Sequence, residues 1–268
     1  MPVLAMGILL GAATSCTEKI EWDLNTREMD LIVVEGHITS DPGPQEVTLT
    51  HPTYEMNAVP DPVRGAVVEI FDGVVLHPFA EDPDQPGVYR SDSSFAVRAP
   101  RGYQLRIRHR DKTIRGVSFS RAVDDFPFMT RFVVQEDPLL YEAYVADTEH
   151  PSVLRMELDW SGVPGYDTLP AEDTHALVYH YTLGGVDVNR IFAPQQEHVS
   201  FPPGTVVYRE LESVPPGYEE YLRGILSETD WRGGVFDVLP GNAATNLEGN
   251  ALGYFTCGEV IRDTLVVR

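Results

Sequence analysis

The stretch YQLRIRHRDKTIRGVSF, residues 103–119, carries the pattern that decides the fold class. Tyr103, Leu105 and Ile107 alternate with polar residues, so an extended chain places these three side chains on one face and the polar ones on the other. The pair Asp111-Lys112 forms a turn into a second extended run. Two such runs joined by a short turn are typical of a β-hairpin in an antiparallel sheet.

The residues around this hairpin repeat the pattern. Asp72-Gly73 is a second hairpin signal, because glycine accepts a positive φ at no steric cost. Pro, Gly, Asp and Asn separate the extended runs, which are LIVVEGHI (31–38), EVTLT (46–50), GAVVEIF (65–71), DGVVL (72–76), GVYRS (87–91), YQLRIRHR (103–110) and TIRGVSF (113–119). Short strands with turn signals between them predict an antiparallel β-sandwich over residues 31–120.

Residues 121–128 (RAVDDFPF) form a predicted connector to a second β-rich domain over 129–268. Its strand-like runs are TRFVVQ (130–135), VLRMELDW (153–160), HALVYHYTL (175–183), TVVYREL (205–211) and the tail GYFTCGEVIRDTLVVR (253–268). One segment, about 216–230, favours an amphipathic α-helix because its apolar residues recur at intervals of three and four. The predicted fold class is therefore mainly β, with two β-rich domains and one helix.

The charge balance excludes one class of partner. The 268 residues include 41 Asp and Glu against 20 Lys and Arg, a formal net charge of -21. Proteins grip phosphate backbones with Lys and Arg, so we expect no nucleic-acid partner. Anionic membrane surfaces repel such a chain as well, so that any membrane attachment has to come from something other than electrostatics.

The N-terminus offers such an attachment. Val3 to Ala13 are all apolar or small. This run has the length of the apolar region of a signal peptide and is too short for a transmembrane helix. Ala13-Thr14-Ser15-Cys16 then resembles the lipobox of bacterial lipoproteins, although Ala13 stands where Leu is preferred and no Lys or Arg precedes Cys16. We expect a lipoprotein signal peptide over 1–16, lipid attachment at Cys16 and a polar tether over 17–30. A disulfide between Cys16 and Cys257 is the alternative.

The C-terminal region resembles a known family. YLRGILSETDWRGGVFDVLPGNAATNLEGNALGYFTCGEV (221–260) is similar to the closing signature of the Bacteroidetes lipoproteins called domain of unknown function 4249. The matching steps are Gly234 to Asp237, Pro240 to Asn242, Asn246-Leu247 and Leu252 to Phe255, and the N-terminal half has the order of that family's opening module.

This resemblance implies a lipid-anchored protein of the bacterial outer membrane, on its periplasmic or cell-surface face. The opening module is similar to transthyretin-like, immunoglobulin-like and carboxypeptidase-regulatory-like sandwiches. The family implies a TonB-dependent outer-membrane receptor as partner, and it supplies no catalytic residues and no reaction. A shared fold carries no peptidase activity with it.

Motifs for catalysis and cofactors are missing from the sequence. It contains no G-x-S-x-G, no HExxH and no phosphate-binding loop, and HRD at 109–111 lacks the Asn of a kinase loop, so we expect no cofactor. Asp82, Asp84 and Asp92 are candidate calcium ligands, although their spacing does not fit an EF-hand.

Loop carboxylates leave a hydrolase of glycans or peptides open. Asp159, Asp167 and Asp173 lie along one loop, where converging carboxylates with perturbed pKa values could perform acid–base chemistry. His175 and His180 are five residues apart in one strand, which places them on opposite faces.

Tyrosines are the other candidate site. Tyr179 and Tyr181 share a strand face, and Tyr141 and Tyr144 lie close together in LLYEAY, so that these four could line a ligand or partner surface. The sequence favours a non-enzymatic accessory or ligand-capturing protein. A structural or adhesive envelope protein is the alternative, followed by the hydrolase.

Overall fold

The computed structural model describes residues 30–53, 55, 57–126, 131–134, 140–184, 199–228 and 243–268. The chain is mainly β with one α-helix, as the sequence predicts. The predicted signal peptide with Cys16, nearly all of the tether and the steps from Gly234 to Asn242 lie outside the described residues.

Sixteen strands and one helix make up the described part of the chain. The strands are β1 (Ile32–Thr39), β2 (Glu46–Thr50), β3 (Val67–Phe71), β4 (Leu76–Glu81), β5 (Val88–Arg90), β6 (Arg101–His109), β7 (Lys112–Ser120), β8 (Arg131–Val134), β9 (Tyr141–Tyr144), β10 (Ser152–Asp159), β11 (His175–Thr182), β12 (Ser200–Phe201), β13 (Val206–Ser213), β14 (Leu247–Glu248), β15 (Ala251–Gly258) and β16 (Val260–Val266). The helix α1 is Tyr218–Glu228, and Ala171–Asp173 form a 3-10 turn.

The first sheet has nine strands in the order β14-β7-β6-β3-β4-β5-β2-β1-β15. The hairpin of β6 and β7 pairs Ile107 with Ile114 and turns at Arg110 and Asp111, as the alternation predicts. The pairing of β1 with β15 is parallel, whereas the other pairs of this sheet are antiparallel. Strands β14 and β15 come from the second predicted domain, so the sheet is not built from residues 31–120 alone.

The core of this sheet lies on its concave side. Alternate residues of β1, β6 and β7 point inward, and the largest fully buried side chains there include Tyr89, Tyr103 and Phe255. Tyr89 keeps its hydroxyl satisfied, since it donates to the Val63 carbonyl at 2.8 Å and accepts from the Ala66 N–H at 2.9 Å. A buried hydroxyl without such partners would cost free energy.

The two ends of the sheet meet along a seam between β7 and β15. Gly116 allows this close approach, because a Cβ at this position would lie 2.9 Å from the end of the Leu247 side chain and 3.1 Å from Phe255 Cβ, so that both would have to shift. The Asn246 side chain bridges the seam: its Nδ2 donates to the carbonyls of Val117 (2.8 Å) and Phe255 (2.7 Å), and its Oδ1 accepts from the Phe255 N–H at 3.0 Å. The amide thus replaces the ladder hydrogen bonds that the two strands do not make directly.

A second core lies between a four-stranded sheet, β11-β10-β13-β16, and a three-stranded sheet, β12-β9-β8. Leu154, Met156 and Leu158 of β10 point into it at every second position. The helix, predicted over about 216–230, packs at its margin: Leu226 contacts a small cluster with Leu183, while Tyr218 and Tyr221 have ring centroids 5.1 Å from Tyr254 of β15.

Only Glu259 separates β15 in the first sheet from β16 in the second, so one continuous stretch joins the two sheets. Side chains add to this link. His37 Nε2 lies 2.5 Å from Glu212 Oε1, and Arg262 forms an ion pair with Asp41.

Candidate functional site

An open cavity of about 640 Å³ lies on the outer face of the first sheet, over β3, β6 and β7. We call it the outer-face groove. The alternation that buries Leu105 and Ile107 turns the residues between them outward, so the same pattern that builds the core also builds this surface. The volume is within the range of about 300–1,000 Å³ that is typical of ligand clefts.

Strand register arranges the groove as two rows of side chains that run across the strands. The apolar row consists of Leu76, Phe71 and Val117 together with the polar Gln104, which lies between Phe71 and Val117; each residue pairs with the next in the order Leu76, Phe71, Gln104, Val117. Leu76 and Val117 are 44% and 45% exposed, although both are large hydrophobic residues. Phe119, 62% exposed, extends the apolar surface by one position, with its ring close over Gly102.

The charged row lies beside the apolar row and consists of Glu69, Arg106, Arg115 and Glu248, again in register. Arg106 donates from Nε at 3.0 Å and from an Nη at 2.7 Å to the same oxygen of Glu69. Arg108 lies 3.5 Å from that oxygen, so that Glu69 serves two arginines. Within the described part of the chain, Arg115 and Glu248 form no ion pair.

This arrangement can hold an anion beside an apolar group. Guanidinium groups bind carboxylates through parallel hydrogen bonds, and the apolar row offers a surface that gains free energy when water leaves it. Among the residues described at the groove, the lining includes one carboxylate, Glu248, and no Ser, Cys or His side chain.

Sequence reasoning missed the groove, but a signal for it exists. Residues 98–121 contain eight of the twenty Lys and Arg and only one of the 41 Asp and Glu, in a chain that is otherwise strongly acidic. Val117 and Phe119 also occupy outward positions of a strand whose inward positions are already filled. Together, a basic segment and apolar residues on its solvent face mark a binding surface.

The four predicted tyrosines fall into two separate places. Tyr179 and Tyr181 share the outer face of β11 with ring centroids 6.1 Å apart, and Tyr179 is 48% exposed. Tyr141 lies in β9, packs against the second core and donates to the Arg268 carbonyl at 3.0 Å, whereas Tyr144 is half exposed. The role of this pair and of Tyr179 and Tyr181 as a ligand or partner surface stays a prediction.

The candidate calcium ligands are used within turns. Asp82 forms an ion pair with Arg90 and accepts from the Asp84 N–H at 2.9 Å. The Ser94 side chain and the Ser94 N–H, the latter at 2.7 Å, both hydrogen-bond to Asp92 and lower the pKa of this carboxyl. Across the described ranges, no group of three or more His, Cys, Asp and Glu side chains is placed to hold a metal ion.

The loop carboxylates serve local structure. Asp159 accepts from the hydroxyl and the N–H of Ser161 at 2.7 and 2.9 Å, and His175 lies 3.2 Å away, so that the pKa of Asp159 is lowered. A general acid needs a raised pKa instead. His180 faces a different carboxylate, Asp147, at 3.0 Å.

A smaller cavity of about 330 Å³ lies near the turn between β3 and β4. Burial alone would raise the pKa of Asp72, but the N–H groups of Val75 and Val74 and the nearby His77 outweigh it and lower this pKa to about 2. Arg101 adds a hydrogen bond at 3.1 Å. The Asp72 carboxylate therefore stabilises the turn as an anion.

Cys257 lies in the core beside the seam, fully buried, and is a free thiol. Burial raises the pKa of this thiol to about 12, despite a hydrogen bond to Ser118 at 3.2 Å. A thiol of this kind is inert as a nucleophile. The predicted lipid site at Cys16 lies outside the described residues.

Comparison with known proteins gives a family match. Residues 17–119 match the family model described as Domain of unknown function (DUF4249), a span that covers less than half of the chain and includes the strands beneath the groove. This match supports the resemblance to that family. No curated protein matches the chain. None of the helices in the described ranges has the length and apolar character that a membrane crossing requires.

Proposed function

We propose that this chain is a non-enzymatic accessory protein of the bacterial outer membrane, attached by lipid at Cys16. In this proposal it captures a ligand for a TonB-dependent receptor. The observation that carries the proposal is the outer-face groove, which combines a volume of about 640 Å³ with an apolar row and a charged row. Such a surface supports a role in ligand binding.

The envelope location has separate support. Residues 7–22 contain the lipobox-like sequence that ends in Cys16, and the family match begins at residue 17, directly after that cysteine. A receptor partner is implied by the resemblance to the family alone. The acidic balance of the chain adds that the attachment depends on acyl chains and not on basic residues.

The test is a tagged pull-down from solubilised outer membrane, with mass spectrometry of the captured proteins and of the intact chain. Wild type is expected to carry acyl chains and to capture a TonB-dependent receptor, while Cys16→Ala moves to the soluble fraction. Val117→Asp places a charge in the groove and is expected to change which ligands and proteins are captured with the chain. Val59→Asp is the matched control, because Val59 is 91% exposed and lies outside the groove. An unacylated wild-type chain, or one that captures no receptor, would refute the proposal.

A structural or adhesive role is favoured by one observation: Tyr179, which is 48% exposed, stacks on the partly buried Tyr181. Aromatic residues are enriched at protein interfaces. This reading predicts that Tyr179→Ala reduces the capture of partners and that Val117→Asp does not. The same pull-down therefore separates the two readings.

A further inference from the structure

The side chains of the outer-face groove limit the chemical class of ligand that it can bind. Its two rows run side by side, so a molecule lying across them meets an apolar surface on one side and arginines on the other. We propose that the groove binds a small monocarboxylate with an apolar chain, whose carboxylate contacts Arg115. The inference deepens the proposed function, since it names the ligand class of the same site.

Arg115 is the group that can bind the carboxylate. Its neighbour Arg106 already gives two hydrogen bonds to Glu69, at 3.0 and 2.7 Å. Arg115 is exposed and has no ion pair within the described ranges, so its donors face the groove without competition from a bonded carboxylate. A guanidinium presents a fork of donors that matches both oxygens of a carboxylate.

The charged row favours one negative charge over two. The two arginines are flanked by Glu69 on one side and by Glu248 on the other, so that the row is neutral in total. A dianion such as a phosphate monoester at Arg115 would place its second charge near Glu248, which lines the groove, and repulsion between like charges opposes this. A monocarboxylate needs only the guanidinium of Arg115.

The apolar row favours an alkyl chain. Leu76, Phe71 and Val117 present apolar surface along the groove. Asn246, which also lines it, has both polar atoms engaged in the seam, where they bond to Val117 and Phe255. Its amide therefore offers little to a polar ligand, and the removal of apolar surface from water supplies the affinity.

Isothermal titration calorimetry with three small probes tests the inference. The protein is the full chain with Cys16→Ala, which needs no detergent if acylation is its only membrane attachment. Octanoate is expected to bind with a dissociation constant of about a few millimolar or below, in line with the usual efficiency of ligands of this size. Acetate lacks the chain and octanol lacks the charge, so both are expected to bind at least about tenfold more weakly.

Two variants are expected to change the affinity for octanoate in opposite directions, and a third serves as their control. Arg115→Gln is expected to weaken octanoate about tenfold, and to leave octanol unchanged, because a charge-assisted hydrogen bond is lost. Glu248→Gln is expected to strengthen octanoate, since a like charge beside Arg115 is removed; a folding defect would not produce this gain. Arg98→Gln is the matched control, because Arg98 is exposed and lies outside the groove, and it is expected to leave the affinity for octanoate unchanged.

The results also separate this inference from the proposed function. Absence of octanoate binding, equal binding of octanol, or an unchanged affinity in Arg115→Gln would overturn the ligand class. If receptor capture in the pull-down persists in that case, the accessory role stands and only the ligand class falls. If octanoate binds but the wild-type chain is not acylated and captures no receptor, the ligand class is supported and the envelope role is refuted.

Discussion

Replacing Asn246 by Ala tests how the first sheet closes. The side chain makes three hydrogen bonds, two to the carbonyls of Val117 and Phe255 and one from the Phe255 N–H, at distances of 2.7–3.0 Å. These groups belong to β7 and β15, which are neighbours but are not paired in a ladder. Alanine would leave the Phe255 N–H and two carbonyls without that partner.

The magnitude follows from the count of these bonds. Each is worth about 1 kcal/mol net, and a partly buried group left unsatisfied costs somewhat more, so we expect a loss of about 2–4 kcal/mol in the free energy of unfolding. Asn246 is half-buried, which allows water to replace some of the lost bonds and keeps the value below that of a fully buried network.

Urea unfolding of the Cys16→Ala chain with and without Asn246→Ala measures this loss, and hydrogen exchange at the Phe255 amide locates it. The matched control is Asn250→Ala, because Asn250 is an exposed residue of the same type for which the described part of the chain gives no side-chain hydrogen bond. An Asn246→Ala variant within about 0.5 kcal/mol of its parent, the usual range of neutral surface changes, would refute the seam argument.

Three further predictions concern titratable groups. In the Cys16→Ala chain, the Cys257 thiol, whose pKa burial raises to about 12, should react with an aromatic disulfide reagent at pH 8 only on unfolding; prompt reaction in native buffer would contradict its burial. The pKa of Asp72 is lowered to about 2, so this carboxylate should add roughly 2 kcal/mol to the free energy of unfolding at pH 6, and this contribution should be lost as the pH falls from about 4 towards 2. Unfolding of Asp72→Ala and of its parent at pH 6 and at pH 2 tests this. An equal difference in stability between the two chains at both pH values would count against it. Burial lowers the pKa of His37, but the hydrogen bond to Glu212 outweighs burial and raises this pKa. The stability that His37 contributes is therefore full below pH 6.5 and disappears as the pH rises through the raised pKa. His37→Gln should lose less stability than its parent between pH 6 and 8, and equal losses in the two chains would exclude the effect.

The strands were predictable because their signal is local. Glu46–Thr50 has the bounds that the alternation predicts, and the hairpin around residues 110–111 follows from the stretch 103–119. The helix was predictable for the same reason, since Tyr218 to Leu226 repeat at helical spacing.

The closure of the sheet was not predictable from such patterns. Strand β15 pairs in parallel with β1, more than two hundred residues away, and alternation within a strand says nothing about its partner. Asn246 belongs to a short stretch without periodicity, so its role as a bridge emerges only once Val117 and Phe255 are placed side by side.

The groove was missed because sequence reasoning treated outward residues as solvated. Arg106 and Val117 both lie in the predicted hairpin, but it is the register of β6 with β7 that places them in adjacent rows of one surface. The tyrosines were the more visible signal in the sequence, yet Tyr141 is engaged by the backbone of Arg268.

The most direct test of the binding site is two-dimensional NMR of the backbone amides of the full Cys16→Ala chain during an octanoate titration. We expect the largest shift changes at Gln104, Arg106 and Val117, whose side chains line the outer-face groove. Changes centred on Tyr179 and Tyr181, or spread evenly over the described strands, would contradict the groove as the binding site.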